Sequence, residues 1–324
     1  MKTKRIQPLK IFGYVVSVLL LIYFIVFVSR NFSAENLRPF SAPTTLIYMG
    51  VASLVYCLII PLAGWAWSLL LAGTGEHWTN KRTIAIIGIT QIAKYIPGNV
   101  AQIAGRATLA ISKGMNPGVF GATVLIETLL TMAAAVFTGL ICWLIAGEHY
   151  DALDTAFWHT LATLCAGLTC GVLGMVVLLR SLPTLRRHTL WAMRWIPAEM
   201  QIPNMDIICK TSAIYCLCYI VVGLSLWIVA RSLNTESSLS YFYLSAIFAL
   251  AWIIGLIAPG LPAGLGAREG VMTALLIEKL AAPDILNLMI GMRLVTIVGD
   301  LLSFGMGAVL MNLCFGKTSH DNRT

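Results

Sequence analysis

The chain has 324 residues, of which 58% are hydrophobic and 11% charged, and its mean hydropathy is +0.84. A soluble domain carries roughly 25% charged residues, so this composition excludes a water-soluble enzyme and requires lipid to solvate most of the chain. The net charge of +8 would suit nucleic acid, but Lys and Arg also collect in the cytoplasmic loops of membrane proteins, so their placement decides.

In chain order, a basic N-terminus (Lys2, Lys4, Arg5, Lys10) precedes an apolar run over 11–29. That run is longer than a signal-peptide core and lacks a small-residue cleavage site after it, which predicts a first membrane helix. Further runs of the roughly 20 residues that a spanning helix needs cover 45–71, 118–146, 156–179, 211–230 and 283–315. Two other apolar stretches are broken. Residues 83–111 contain Lys94, Pro97, Gly98, Gly105 and Arg106, and residues 241–280 contain Pro259, Gly260, Pro262, Gly264, Gly266, Arg268 and Glu269. Prolines and glycines this dense end helices. Irregular backbone at membrane depth is tolerated where protein buries it or it lines a wet cavity, which predicts two re-entrant hairpins. A surface loop between tilted helices is the plainer alternative.

The charges test this arrangement. With the N-terminus inside, the inside segments hold Lys2, Lys4, Arg5, Lys10, Lys81, Arg82, Lys113, Arg180, Arg186, Arg187, Arg194, Lys210, Lys317 and Arg323, and the outside segments hold Arg30, Arg38, Arg231 and Lys279. This asymmetry follows the positive-inside rule and removes the case for nucleic acid. The segment 180–210, with Trp191 and Trp195 among its arginines, suits anionic headgroups or is an ordinary inside loop. The eight cysteines form no CxxC pair and have no His at metal-ligand spacing, so they are read as small packing residues and neither metal nor cofactor is expected.

The broken stretches repeat one pattern. Pro97-Gly98 precedes Arg106 by the same spacing as Pro259-Gly260 precedes Arg268, and Pro117 and Pro283 each open a long helix with Glu127 or Arg293 ten residues on. The expected fold is therefore an all-α polytopic membrane protein with six transmembrane helices and two re-entrant hairpins in an inverted repeat. It forms a single membrane domain over 1–324 with halves 1–150 and 151–324, a recurring transporter architecture. Seven ionisable groups fall in apolar or broken sequence: Lys94, Arg106, Glu127, Arg268, Glu269, Arg293 and Asp300. Each costs about 2.5–3.5 kcal/mol at the bilayer centre unless paired or wet. Lys94, Glu127, Arg293 and Asp300 are assigned to intramembrane charge pairing, and Lys94 could also snorkel to the interface. Arg106 and Arg268 lie where a Pro/Gly turn gives way to a half-helix, a place that binds anions, and a guanidinium holds two phosphate oxygens at once. The plainer reading makes all seven groups structural ion pairs.

KYIPGNVAQIAGR (94–106) and APGLPAGLGAREG (258–270) resemble the two signature stretches of the lysylphosphatidylglycerol synthase transmembrane-region family, a flippase-like membrane domain. The resemblance implies movement of lipids between leaflets of a bacterial cytoplasmic membrane. It also implies Pro97, Gly98, Arg106, Pro259, Gly260, Gly264, Gly266, Arg268 and Glu269 as motif positions. Asn99 and Gln102 depart from the glycines common there and join the expected headgroup-binding set. The chain ends at Thr324 without the soluble aminoacyltransferase domain of the full synthase, so an enzyme activity is not expected. The resulting expectation is translocation of an anionic phospholipid or polyprenyl-phosphate-linked glycolipid, with membrane lipids as partners and both termini cytoplasmic. Alternatives are a secondary transporter of a small solute or ion, and a non-catalytic partner of a cell-envelope biosynthesis enzyme. A membrane glycosyltransferase fits less well, since the first outer loop offers only Glu35.

Overall fold

The computed structural model describes residues 34–96, 101–146, 201–234, 239–257 and 266–315, together with Ile22, Val26, Ser29 and Arg30. These residues are helical with short turns, and no strand occurs among them. The predicted span 156–179, the basic segment up to residue 200, most of span 11–29 and both Pro-Gly turns lie outside the described residues.

Among the described residues, four stretches are long and apolar enough to cross a membrane: Pro43–Gly73, Pro117–Ala146, Met205–Ser232 and Ala282–Phe315. They coincide with four of the six predicted spans. The first divides at Leu58 into α1 (Pro43–Cys57) and α2 (Ile59–Gly73). The first broken stretch forms α3 (Asn80–Thr90), a 3-10 turn over Gln91–Tyr95, and α4 (Ala101–Ser112), and is followed by the long α5 (Pro117–Ala146). After α6 (Met205–Ser232), the second broken stretch forms α7 (Tyr241–Ile257) and α8 (Ala267–Leu276), and α9 (Ala282–Phe315) completes the described fold. Local chemistry sets these starts. Pro117 opens α5, where its missing N–H costs nothing, and the Asn116 side chain accepts from the Gly118 N–H at 2.8 Å. Asn204 caps α6 by accepting from the Ile207 N–H at 2.9 Å.

The packing is reciprocal. α3, from the first broken stretch, packs most extensively on α9, and α7, from the second, packs most extensively on α5. α1 lies against α9 and α6 against α5, while α1 and α2 both meet α6. Close approach of α3 and α9 depends on glycines at the crossing. A Cβ on Gly88 would sit 2.7 Å from the Ser303 carbonyl oxygen, and one on Gly307 would sit 2.7 Å from the Ile89 nitrogen. Small residues are what let membrane helices approach this closely.

Each broken stretch starts and ends at the same end of the molecule. Arg82, at the start of α3, and Lys113, just after α4, both lie over the Phe315 ring, at 5.2 and 5.1 Å. Tyr243, early in α7, donates its hydroxyl to the Leu275 carbonyl at the end of α8, at 2.8 Å, and Lys279 lies 4.8 Å over its ring. Phe315 closes α9 and Lys279 precedes it, so the two stretches open toward opposite ends of α9.

α9 also inverts the pattern of a soluble helix. Asp300 is 1% exposed while its neighbour Leu301 is 57% exposed, with Ile297, Val298, Leu302 and Leu313 also facing outward. A helix that hides its carboxylate and presents leucines outward is adapted to lipid.

Candidate functional site

The interior ends of both broken stretches meet at a cavity of about 340 Å³. Gln91, Lys94, Tyr95, Gln102 and Ile103 come from the first, and Gly255, Leu256, Arg268, Glu269 and Met272 from the second. α1 contributes Tyr56, α5 contributes Glu127, α6 contributes Tyr215 and Tyr219, and α9 contributes Arg293 and Thr296. The walls are mostly aliphatic, aromatic and methionine side chains, so charges here are held in a low-dielectric setting.

Three ion pairs neutralise six of the seven charges picked out in the sequence. Lys94 reaches Asp300 at 2.7 Å, and that carboxylate also accepts from Gln91 Nε2 at 3.1 Å and from the Tyr95 hydroxyl. Lys94 further contacts the Tyr56 hydroxyl at 3.3 Å. Arg106 holds Glu127 with two nitrogens, at 2.7 and 3.0 Å, while its guanidinium stacks 3.7 Å from the centre of the Trp67 ring. Arg293 pairs with Glu269. The second Glu269 oxygen accepts from the Gly266 N–H at 2.8 Å and so caps α8. Gly266 has φ +83, a left-handed conformation that glycine adopts without a Cβ clash.

The seventh charge is Arg268. It stands in the first turn of α8 and lines the cavity. It has no ion-pair or hydrogen-bond partner among the described residues, and its Nε is buried without an acceptor. Room for its stem comes from Gly255 on α7, where a Cβ would lie 2.6 Å from Arg268 Cγ. The Tyr219 hydroxyl, on the same cavity, is likewise buried without a partner.

The matching sequence positions account for this asymmetry. Arg106 and Arg268 occupy matching places after their Pro-Gly turns, but the position matching Glu127 on α5 is Arg293 on α9. In the first half arginine meets carboxylate. In the second the matching position carries a like charge, Glu269 is taken up by Arg293, and Arg268 has no counterion among the described residues.

The candidate headgroup set is therefore divided. Gln102, Arg268 and Glu269 line the cavity, Gly266 adjoins it through Glu269, and Arg106 is engaged by Glu127 and Trp67 at its edge. Gln102 donates to Gln91 at 2.8 Å and so joins the Asp300 cluster. Pro97, Gly98, Asn99, Pro259, Gly260 and Gly264 lie outside the described residues. Sequence reasoning missed Gln91, Tyr56, Trp67 and Tyr219, which sit in runs read simply as apolar. Gln91 carried a signal, since an amide one turn before Lys94 in an apolar stretch requires a partner. No group of three or more metal-ligating side chains occurs among the described residues.

Residues 11–303 match the family model described as the lysylphosphatidylglycerol synthase TM region. No curated protein matches the chain.

Proposed function

The chain belongs to the lysylphosphatidylglycerol synthase TM-region family, multi-pass membrane proteins linked to lipid biosynthesis or translocation, and from that premise we propose that it carries an anionic lipid headgroup across the cytoplasmic membrane. The observation that carries this reading is Arg268, a guanidinium without a counterion among the described residues, in a cavity where two broken helix pairs meet from opposite ends. An uncompensated cation in an apolar interior is costly and calls for an anion. A phosphate accepts from a guanidinium at two oxygens, and the Tyr219 hydroxyl offers a further donor on the same cavity.

In this reading the fold has six spans and two re-entrant hairpins, α3–α4 and α7–α8, in halves 1–150 and 151–324 of one inverted repeat. The reciprocal packing of α3 on α9 and α7 on α5 supports it, as does the return of each broken stretch to its own end. Opposed hairpins give a headgroup access from both leaflets while the acyl or prenyl tails remain in the bilayer. Arg268 is the headgroup ligand, Glu269 and Gly266 hold the turn that presents it, and Arg106 with Glu127 and Trp67 anchors the first hairpin. The protein acts as a translocator rather than an enzyme, with both termini cytoplasmic.

The test is leaflet exchange of fluorescent lipids in proteoliposomes, read by dithionite quenching. Exchange above protein-free vesicles that Arg268→Gln abolishes supports the proposal. Exchange unchanged by Arg268→Gln removes Arg268 from the site, and exchange no faster than protein-free vesicles removes the function.

A further inference from the structure

Among the described residues, the charges around the cavity leave a surplus. Four cations (Lys94, Arg106, Arg268, Arg293) face three carboxylates (Glu127, Glu269, Asp300), each carboxylate is held in its own ion pair, and Arg268 is left over. Residues 97–100 and 258–265, which join these elements in the sequence, contain no charged residue. The surplus is one positive charge, placed in a cavity whose walls are mostly apolar.

We infer that the cavity selects lipids by net headgroup charge and takes a phosphodiester monoanion whose remaining substituent is uncharged, such as a glycerol or sugar. This inference rests on the translocation reading and narrows its substrate. A monoanion brought to Arg268 leaves the site neutral. A zwitterionic headgroup brings its own cation and leaves the surplus uncancelled. A dianion, such as a fully ionised phosphomonoester, reverses the surplus and leaves an unpaired negative charge. In a low-dielectric interior an unpaired charge of either sign is strongly disfavoured. The three ion pairs cannot readily adjust, because releasing a carboxylate or a cation from its partner creates a second unpaired charge.

Hydrogen-bonding capacity points the same way. The uncharged polar side chains that share the cavity with Arg268, including Gln91, Gln102, Tyr219 and Thr296, are amides and hydroxyls. These suit the hydroxyls of a glycerol or sugar. The three carboxylates that could hold a headgroup amine are already occupied by Lys94, Arg106 and Arg293.

The experiment uses the full chain in nanodiscs holding equal amounts of phosphatidylglycerol, phosphatidylethanolamine and phosphatidic acid at alkaline pH. Retained lipids are counted by native mass spectrometry, and leaflet exchange of the same labelled lipids is measured in parallel. The expected result is phosphatidylglycerol held over each of the other two by about tenfold or more, a factor that corresponds to about 1.4 kcal/mol. Arg268→Gln, which makes the charge sum zero, should erase that preference, and Arg268→Lys, which keeps the charge, should restore most of it. Equal retention of the three lipids, enrichment of phosphatidic acid, or a preference that survives in Arg268→Gln overturns the inference. Failure of the translocation reading looks different: phosphatidylglycerol is held selectively but no lipid crosses. Lipids that cross without regard to charge in either measurement leave translocation standing and remove the charge selection.

Discussion

Lys94 and Asp300 form an ion pair of 2.7 Å between the first broken stretch and the last long helix. Asp300 is 1% exposed, and its carboxylate takes hydrogen bonds from three side chains of one short segment, Gln91, Lys94 and Tyr95. The pair therefore ties α9 to the inner end of the first broken stretch, at the wall of the cavity.

Such a buried pair is expensive to break and cheap to replace. Removing one partner, as in Lys94→Met or Asp300→Leu, should cost about 3–5 kcal/mol because the other charge is left buried and alone. The double variant Lys94→Met/Asp300→Leu should recover most of that loss. Thermal unfolding of the four proteins in detergent measures it, and losses that simply add in the double variant would refute the pairing as the cause.

The two motif arginines should differ in what they do for stability. Arg106→Gln strands Glu127 and uncovers the Trp67 face, with an expected loss of about 2.5–3.5 kcal/mol, the range for an unpaired charge within a membrane helix. Arg268→Gln removes a cation that has no partner to strand among the described residues, so the melting temperature should hold or rise. Matching losses in the two variants would contradict the assignment of one as anchor and the other as ligand.

Gly255 offers a way to disturb Arg268 without touching its charge. A side chain at Gly255 would overlap the Arg268 stem, which lies 2.6 Å from the Cβ position. Gly255→Val should therefore lower anionic lipid exchange severalfold while circular dichroism shows native helix content. Wild-type exchange in a folded Gly255→Val protein would show that the position of Arg268 does not matter.

The crossing of α3 and α9 depends on bare backbone at Gly88 and Gly307. Gly88→Leu should destabilise by at least about 1–3 kcal/mol, the usual range for overpacking. Gly305, in the same turn of α9 but with nothing within 4 Å of its Cβ position, is the control, and Gly305→Leu should be tolerated. Unfolding midpoints compare the two.

Topology is open to direct labelling. In a cysteine-free background, a cysteine at Lys113 should react with an impermeant maleimide only from the cytoplasmic side, and one at Lys279 only from the opposite side. Labelling of both from one side would rule out opposed hairpins.

Much of this was legible in the chain. The runs at 45–71, 118–146, 211–230 and 283–315 are helices of spanning length, because about 20 apolar residues in lipid must satisfy their backbone polar groups internally and a helix does so. The seven ionisable groups stood out for the same reason: apolar surroundings make any charge conspicuous. Their partners did not. Asp300 and Arg293 are two helical turns apart and share a stripe, yet one turns to Lys94 and the other to Glu269. Periodicity along one helix says which face a residue lies on, not which neighbouring helix supplies the opposite charge.

The figure of 11% charged residues determined by itself that the chain lives in lipid, and the distribution of those charges predicts an orientation. Their spacing also determined that two arginines follow two Pro-Gly turns at equal distance. Only the tertiary structure decided that these arginines are unlike. Arg106 is matched by Glu127 and covered by Trp67, whereas Arg268 meets a cavity with its counterion elsewhere engaged. Whether a charge is compensated depends on what lies within a few ångströms of it, and for side chains on different helices that is set by packing.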